Sequence, residues 1–197
     1  QKILAVIPAR LGSSRFPGKP LRPILGKPMV GHVYERVSKT PELEMTVVAT
    51  CDREIADYVE SIGGTAVMTQ DNHDRASDRC AEAVLTLEKK QSRKYDIVVM
   101  VQGDEPMTTP EMVTQSVQPL LDNPDINVVN LLGRIDSESE YFDRNCIKVV
   151  CDLEGFALYF SRTPIGAWTS VDGKTLGKQV CIIPFRRDFL LEYSGLE

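Results

Sequence analysis

The sequence predicts an α/β fold, in which a mostly parallel sheet covered by helices carries a small β-rich lobe. Short apolar runs alternate with amphipathic helical patterns through the first two-thirds of the 197 residues. This order is typical of a parallel sheet with helices on both faces. After about residue 135 the helical patterns give way to closely spaced strand-like runs, which indicates a second, antiparallel structure.

Five apolar runs in the first part are predicted to be strands, and four amphipathic segments to be helices. The predicted strands are residues 3–8, 46–50, 65–68, 97–102 and 128–132, and the predicted helices are residues 29–38, 53–62, 78–89 and 110–121. Ser77 is a candidate N-cap for the third helix. Thr109 directly precedes Pro110, the order expected for an N-cap followed by proline in the first helical turn.

The later part of the chain predicts a hairpin, a further strand and a last helix. Residues 146–152 and 156–162 are strand-like and are joined by a short turn that contains Gly155. Residues 178–185 predict another strand, followed by a helical stretch to residue 193. We therefore expect a core over residues 1–134 and a lobe over residues 135–197. Because parallel sheets bind ligands at the carboxyl ends of their strands, the loops after Pro8 and Gln102 are the expected site.

The composition restricts the partners of the chain. Its 23 basic and 28 acidic residues give a net charge of −5, which argues against nucleic acid as a partner. No apolar run is long enough to span a bilayer, so no membrane partner is expected. The N-terminal run at residues 2–8 is too short for a secretory signal and predicts a buried strand.

The cysteines predict a reducing compartment. They are odd in number, scattered and embedded in apolar segments: Cys51, Cys80, Cys146, Cys151 and Cys181. Free buried thiols in the cytoplasm are the expected state. With only His32 and His73 available, a zinc site has few ligands to draw on.

A glycine-rich basic loop directly follows the first predicted strand. It contains the candidate nucleotide-binding residues Ala9, Arg10, Gly12, Ser13, Ser14, Arg15 and Lys19. Consecutive amides near glycines can form an anion-binding nest, and the three cations suit a triphosphate. The spacing is not that of a Walker A loop, since Pro20 stands where Ser or Thr would bind magnesium. A solvated surface turn shaped by Gly and Pro is the competing interpretation.

Three groups of motifs, in matching order, resemble the 3-deoxy-manno-octulosonate (Kdo) cytidylyltransferases. The opening group is Ile7-Pro8-Ala9-Arg10, the run from Gly12 through Arg15 to Leu21, and Gly26-Lys27-Pro28-Met29. The later groups are Gln102-Gly103-Asp104-Glu105-Pro106, and Lys148-Val149-Val150 with Ala157-Leu158-Tyr159-Phe160-Ser161-Arg162. The acylneuraminate cytidylyltransferases have a looser version of the opening group of motifs. The resemblance spans nearly the whole chain and implies a Rossmann-like sheet of the nucleotide-diphospho-sugar transferase type.

The resemblance also implies a reaction. The anomeric hydroxyl of an acidic sugar would attack the α-phosphate of CTP and expel pyrophosphate, which requires alignment and charge neutralisation rather than a covalent intermediate. Arg10 and Lys19 are the candidate catalytic cations, and Asp104 is the candidate ligand for Mg²⁺, which favours one or two carboxylates plus phosphate oxygens. An Asp-based turn at the strand end is the competing interpretation of Asp104. Ser77, Arg79 and Gln102 are further candidate nucleotide contacts.

Two segments depart from the family pattern. Residues 73–79 stand where the family reads His-x-Ser-Gly-Thr-Glu/Asp-Arg, so that Arg75 replaces a serine and Ser77 a threonine. The family usually has His and Tyr on the strand at residues 178–183, where this chain has Gln179 and Ile183. The resemblance implies Kdo or a close keto-deoxy acid as the acceptor. Because Ile cannot form a hydrogen bond, another acidic acceptor, such as a nonulosonic acid or a phosphonate, is the alternative.

Arg162 and Gln179 are the candidate acceptor-binding residues. The planar guanidinium of Arg162 pairs well with a carboxylate or phosphonate, and a surface ion pair is its competing interpretation. The resemblance further implies a homodimer formed through the hairpin at residues 146–162, and a second metal-binding Asp beyond residue 197. Two other classes stay open: a GT-A glycosyltransferase, which would favour an Asp-x-Asp motif after a central strand, and a nucleotide-binding regulator without turnover.

Overall fold

A five-stranded sheet forms the centre of the computed structural model, which describes residues 1–12, 16–168 and 175–196. In spatial order its strands are β11 (Ile182–Arg186), β6 (Ile97–Val101), β1 (Ile3–Pro8), β4 (Met45–Thr50) and β5 (Ala66–Met68). The last four are parallel, and β11 pairs antiparallel with β6 at one edge. The predicted α/β class with a mostly parallel sheet is confirmed.

Helices cover both faces of this sheet because the side chains of β1 are apolar on both. These helices are α1 (Met29–Val37), α2 (Arg53–Ser61), α3 (Ala76–Gln91), α4 (Pro110–Asp122) and α6 (Arg187–Ser194). A short helix, α5 (Glu138–Phe142), belongs to a different part of the chain. Leu4 and Val6 lie in a buried cluster with side chains of α3 and α6. Ala5 and Ile7, which point to the other face, are also fully buried. Helices α1, α2 and α4 contact the same sheet.

A separate antiparallel sheet contains the hairpin expected from the sequence. Its order is β7 (Leu131–Gly133), β10 (Leu176–Val180), β8 (Lys148–Cys151) and β9 (Ala157–Ser161). At the turn between β8 and β9, the carboxylate of Asp152 accepts the amides of Glu154 and Phe156 at 3.0 and 2.8 Å. Gly155 has φ 89° there, a conformation that favours glycine. Two very short strands, β2 (Pro23–Ile24) and β3 (Lys27–Pro28), pair near the start of α1.

The chain forms two compact units, and their bounds differ from the expected division at residue 134. The first unit is Gln1–Val129 with Cys181–Glu197, and the second is Asn130–Val180. The predicted strand 178–185 is in fact two strands, because β10 pairs with β8 whereas β11 pairs with β6. Of the predicted strand 128–132 only the end is a strand, β7, and it pairs antiparallel with β10 instead of joining the parallel sheet. Residues 181–197 thus return to the first unit.

The starts of two helices test the expected caps. The hydroxyl of Thr109 accepts the amide of Met112 at 3.4 Å, which confirms Thr109 as the N-cap of α4. The predicted cap at Ser77 is wrong, since α3 already begins at Ala76 and Arg75 is its N-cap residue. Ser77 lies inside the first turn and is buried.

All five cysteines are free thiols, as expected, and Cys80 and Cys151 are buried while the other three are partly exposed. Among the described helices, none is both long and apolar enough to cross a membrane.

Candidate active site

The carboxyl ends of β1 and β6 lie side by side and bring two sequence motifs together. The strands are parallel neighbours with Val6 opposite Met100. Beyond them the backbones approach so closely that a Cβ on Gly103 would lie 2.8 Å from the carbonyl oxygen of Pro8. Any side chain at position 103 would force the two loops apart. Glycine there keeps Ala9 and Asp104 at the same edge of the sheet.

The basic loop and the acidic segment are joined by one ion pair. Nζ of Lys19 donates to Oδ2 of Asp104 at 2.7 Å. Lys19 opens a short 3-10 helix, Lys19–Leu21, after Gly18, whose φ of 72° is left-handed. The Gly18 amide donates to the carbonyl of Leu11 at 3.0 Å, which closes the loop at its base. Ser13, Ser14 and Arg15 lie outside the described residues.

Asp52 holds the start of the loop and was missed in the sequence. Its Oδ2 accepts the amide of Leu11 at 2.7 Å, and its own amide donates to the hydroxyl of Thr50 at 3.1 Å. Asp52 follows β4, the parallel neighbour of β1, so its position after a buried strand was a usable signal.

A cavity of about 220 Å³ opens at this edge of the sheet. It is lined by Pro8, Ala9, Arg10, His73, Asp74, Arg75, Ala76, Arg79 and Gln102. Four of the candidate nucleotide-binding residues, Ala9, Arg10, Arg79 and Gln102, therefore surround one space. Ser77 does not line it. Gly12, Lys19 and Asp104 lie on the adjoining loops outside it.

Arg79 is the most buried cation of the cavity, with 3% of its surface exposed. Its Nη1 donates to the hydroxyl of Thr69 and, at 3.0 Å, to the carbonyl of Gln70. Its Nη2 is buried and finds no hydrogen-bond partner among the described residues. Buried donors are nearly always paired, so this nitrogen is an exception among the described residues.

A second set of contacts, also missed in the sequence, fixes the segment before α3. The carboxylate of Glu82 accepts the amide of Gln70 at 2.9 Å and bonds to Nε2 of His73. Of these residues, His73 lines the cavity, and Glu82 belongs to α3. The wall formed by residues 73–76 is thereby tied to the helix that follows it.

The neighbours of Asp104 set the charge of the site. Burial raises the pKa of Glu105, the negative charge of Asp104 raises it further, and Lys19 opposes the rise. Asp104 itself is exposed. In the described part of the chain, no cluster of three or more His, Cys, Asp or Glu side chains is arranged to hold a metal ion.

The candidate acceptor residues Arg162 and Gln179 both lie in the second unit. Arg162 is exposed and its Nη1 donates to the carbonyl of Arg144 at 3.1 Å. Within the described part of the chain, Arg162 makes no ion pair. The fully buried ammonium of Lys148 donates to three carbonyls, those of Asp143, Cys146 and Arg162, which fixes the backbone on both sides of the Arg144–Arg162 contact.

The sequence predicted Gln179 and Ile183 on one strand, but they lie on two different strands. Gln179 is in β10 and is half-buried, and its amide donates to the carbonyl of Ile147 at 2.9 Å. Ile183 is in β11 and packs against the buried cluster of the first unit. The chain changes sheets at Cys181, so Ile183 fills a core position that an apolar side chain suits.

The ends of the parallel strands carry a basic glycine-rich loop, a carboxylate and a small polar cavity. This arrangement is suited to nucleotidyl transfer. The family model described as Cytidylyltransferase matches residues 4–196. The chain belongs to the cytidylyltransferase family.

Curated relatives and a solved structure refine the comparison. The chain is 40% identical to the 3-deoxy-manno-octulosonate cytidylyltransferase of Trichlorobacter lovleyi, over 99% of this chain and 79% of the relative. It is 42% identical to the enzyme of the same name from Geobacter metallireducens, over 99% and 79%. A solved CMP:2-keto-3-deoxy-manno-octonic acid synthetase in complex with CTP superposes with a TM-score of 0.86 at 40% identity, covering 100% of this chain and 79% of that one.

Proposed function

We propose that this chain transfers the cytidylyl group of CTP to Kdo and releases pyrophosphate. The relatives named above support the donor and the acceptor. The observation that carries the proposal is the cavity at the ends of β1 and β6, where the buried Arg79 keeps an unpartnered donor beside a loop rich in cations.

The cytosine base occupies the cavity in this proposal. Its volume of about 220 Å³ is large enough for a pyrimidine ring. Arg79 Nη2 would donate to an acceptor on the base and thereby satisfy a buried group that has no other described partner. Hydrogen bonds to the edge of the base then discriminate cytosine from uracil.

The phosphates lie along the loop. Arg10 and Lys19 offset the charge on the triphosphate and on the departing pyrophosphate. Lys19 is bonded to Asp104 in the free protein, and its exposed ammonium can donate to a phosphate oxygen instead. The oxygen of the anomeric Kdo hydroxyl bonds to the α-phosphorus as the bond from phosphorus to the pyrophosphate oxygen breaks, and the hydroxyl proton passes to solvent.

The residues present fit magnesium as part of a nucleotide complex. Mg²⁺ is held by one or two carboxylates together with phosphate oxygens and waters, and Asp104 offers an exposed carboxylate next to the loop. When bound, the ion neutralises phosphate charge. We propose Asp104 as the protein ligand, with Glu105 beside it.

Arg162 and Gln179 are the residues that we propose for contacts to the acceptor. Arg162 would bind the carboxylate of Kdo through its planar guanidinium, and Gln179 would bond to a sugar hydroxyl. Ile183 is partly buried and packs against the core of the first unit. Its lack of a hydrogen-bonding group therefore does not argue against Kdo, which we retain as the acceptor in preference to another acidic compound.

We further propose that two copies pair through the hairpin. In β9, an edge strand, Leu158, Tyr159 and Phe160 are 66, 60 and 43% exposed, and neighbouring Phe156 is 55% exposed. Contiguous apolar side chains on an edge strand are usually covered by a partner. Association of two copies through one self-complementary patch gives a two-fold dimer. The five free thiols support a cytoplasmic location.

The test is pyrophosphate release in a matrix of nucleotides and acceptors. CTP, UTP, ATP and GTP are each combined with Kdo, N-acetylneuraminate or a simple phosphonate, with magnesium and with no acceptor as the blank. We expect rapid release only from CTP with Kdo. Release from no combination, together with turnover of a nucleotide sugar, would support the glycosyltransferase class instead.

A further inference from the structure

The side chain of Arg75 connects the start of α3 to the end of α6. Its Nη2 donates to the carbonyl oxygens of Leu196 and Ser194 at 3.1 and 3.4 Å, and its Nε donates to Oδ2 of Asp78 at 3.1 Å. The guanidinium carbon lies 5.3 Å from the centre of the Tyr193 ring. One side chain thus contacts two helices that are distant in sequence.

The chemistry of this contact favours a charged arginine. The last carbonyls of a helix have no partner within the helix and form the negative end of its dipole. A cation that bonds to them is therefore stabilised, and the aromatic face of Tyr193 adds a cation–π contribution. The hydrogen bond with Asp78 raises the pKa of Arg75 and keeps the guanidinium charged.

The same residue is part of the cavity wall. Residues 73–76 line the space of about 220 Å³ in which the base is proposed to bind. From the α3 side this wall is tied by Glu82, which bonds to His73, and by Arg79, which bonds to the carbonyl of Gln70. Arg75 ties it from the α6 side. The segment at residues 73–76 is therefore held by contacts on two sides.

The link is a feature of this chain rather than of the family pattern. The pattern described above has serine where Arg75 stands, and a serine side chain ends at its first oxygen. Such a side chain cannot extend from the start of α3 as a guanidinium does to reach the carbonyls after α6. Position 75 therefore changes how the cavity wall is held without changing the residues proposed to contact the nucleotide.

We infer that Arg75 is a positioning residue for the nucleotide, which holds the cavity wall in its binding geometry by anchoring it to the end of α6. The inference rests on the proposed function, because it takes CTP as the occupant of the cavity. It assigns α6 a role in nucleotide affinity although no residue of α6 lines the cavity.

Arg75→Ala tests the anchor by equilibrium titration with CTP and magnesium, and by steady-state kinetics. The dissociation constant and KM for CTP should each rise about fivefold to tenfold, while kcat stays within about twofold, since binding and not the chemical step is affected. The dissociation constant of Arg75→Lys for CTP should lie between those of the unaltered protein and Arg75→Ala. The lysine ammonium can donate to a carbonyl, but it lacks the planar fork of the guanidinium. Arg53→Ala is the matched control, since Arg53 is an exposed arginine paired at 2.7 Å with Asp57 on α2.

Tyr193→Leu separates anchoring from direct contact. If the anchor works through α6, Tyr193→Leu also weakens CTP binding, and the loss in the double variant with Arg75→Ala is smaller than the product of the two single losses. Unchanged CTP affinity in Arg75→Ala, or a loss there with none in Tyr193→Leu, overturns the inference. Failure of the unaltered protein to bind CTP refutes the proposed function instead, so the two failures are distinguishable.

Discussion

Lys19 and Asp104, which are far apart in the sequence, meet in an ion pair of 2.7 Å that joins the basic loop to the end of β6. Their side chains remain 36% and 48% exposed. An exposed pair of this kind contributes about 0–1 kcal/mol to stability. The pair therefore contributes little to the fold, and its main effect is to place a cation and a carboxylate at one point on the edge of the sheet.

Lys19→Ala should impair catalysis without unfolding the protein. We expect kcat/KM for CTP to fall by about 10²-fold or more, because a cation that offsets phosphate charge is lost. The melting temperature should change by less than about 3 °C, as the exposed pair contributes little. Lys27→Ala is the control, since Lys27 is similarly exposed and pairs with Glu35. Equal activity of both variants would support the competing interpretation, in which the loop is a surface turn without a role in catalysis.

Asp104→Asn tests the proposed metal ligand. The amide is nearly the same size as the carboxylate but has no charge, so turnover should fall by about 10²-fold or more while the fold is kept. The concentration of magnesium that gives half-maximal activity should rise as well. Asp57→Asn, in the exposed pair on α2, should leave both quantities unchanged. Normal magnesium dependence in Asp104→Asn excludes this residue as a ligand.

Glu105 should make the stability of the protein depend on pH. Burial, and then the charge of Asp104, raise its pKa in the folded state. The unfolded chain therefore loses this proton at lower pH, and the stability contributed by the protonated form is lost as the pH rises through the folded pKa. Glu105→Gln removes this loss. Its melting temperature should exceed that of the unaltered protein near pH 7, and the difference should disappear below about pH 4.

Glu111 provides a control of opposite sign. Its own backbone amide, and then the hydroxyl of Thr109, lower its pKa at the start of α4. The stability that it contributes is present at neutral pH and is lost as the pH falls through the lowered pKa. Glu111→Gln should therefore be less stable than the unaltered protein near pH 7 and equal to it in acid. If both variants change the stability near pH 7 in the same direction, the opposite pKa shifts assigned to Glu105 and Glu111 are contradicted.

Leu158→Lys should convert the proposed dimer to a monomer. Leu158 is 66% exposed in the middle of β9, and a charge there would be buried without a partner in a two-fold contact. Leu153→Lys is the control, because Leu153 is 95% exposed in the adjoining turn. Light scattering at micromolar concentration should give twice the chain mass for the unaltered protein and for Leu153→Lys. A monomeric mass for the unaltered protein would rule out this interface.

The sequence predicts what depends on local pattern. The buried run of β1 and the order Thr109-Pro110 are local signals, and both have the expected structure. Neighbouring positions of Gly103 and Pro8 followed from the rule that parallel strands end at one edge. In each case a short segment contains the whole physical cause.

Features that depend on distant partners were not predictable in the same way. Nothing local shows that Asp52 accepts the amide of Leu11, since that bond joins two separate loops. The apolar run on either side of Cys181 is continuous, so the transfer between sheets depends on which strands are available for pairing. Ser77 is a good cap residue by type, yet α3 begins before it at Ala76, with Arg75 as the extended N-cap residue.

The return of the chain to its first sheet has a consequence for synthesis on the ribosome. About 80 residues separate the end of β6 from the start of β11, the strand that covers its outer edge. At ordinary elongation rates of about 5–20 residues per second, that edge waits about 4–16 s for its partner. During that time the nascent chain presents Ile97–Val101, five apolar residues, as an open edge. Chaperone dependence during translation should therefore be concentrated in the interval in which residues 102–181 are made.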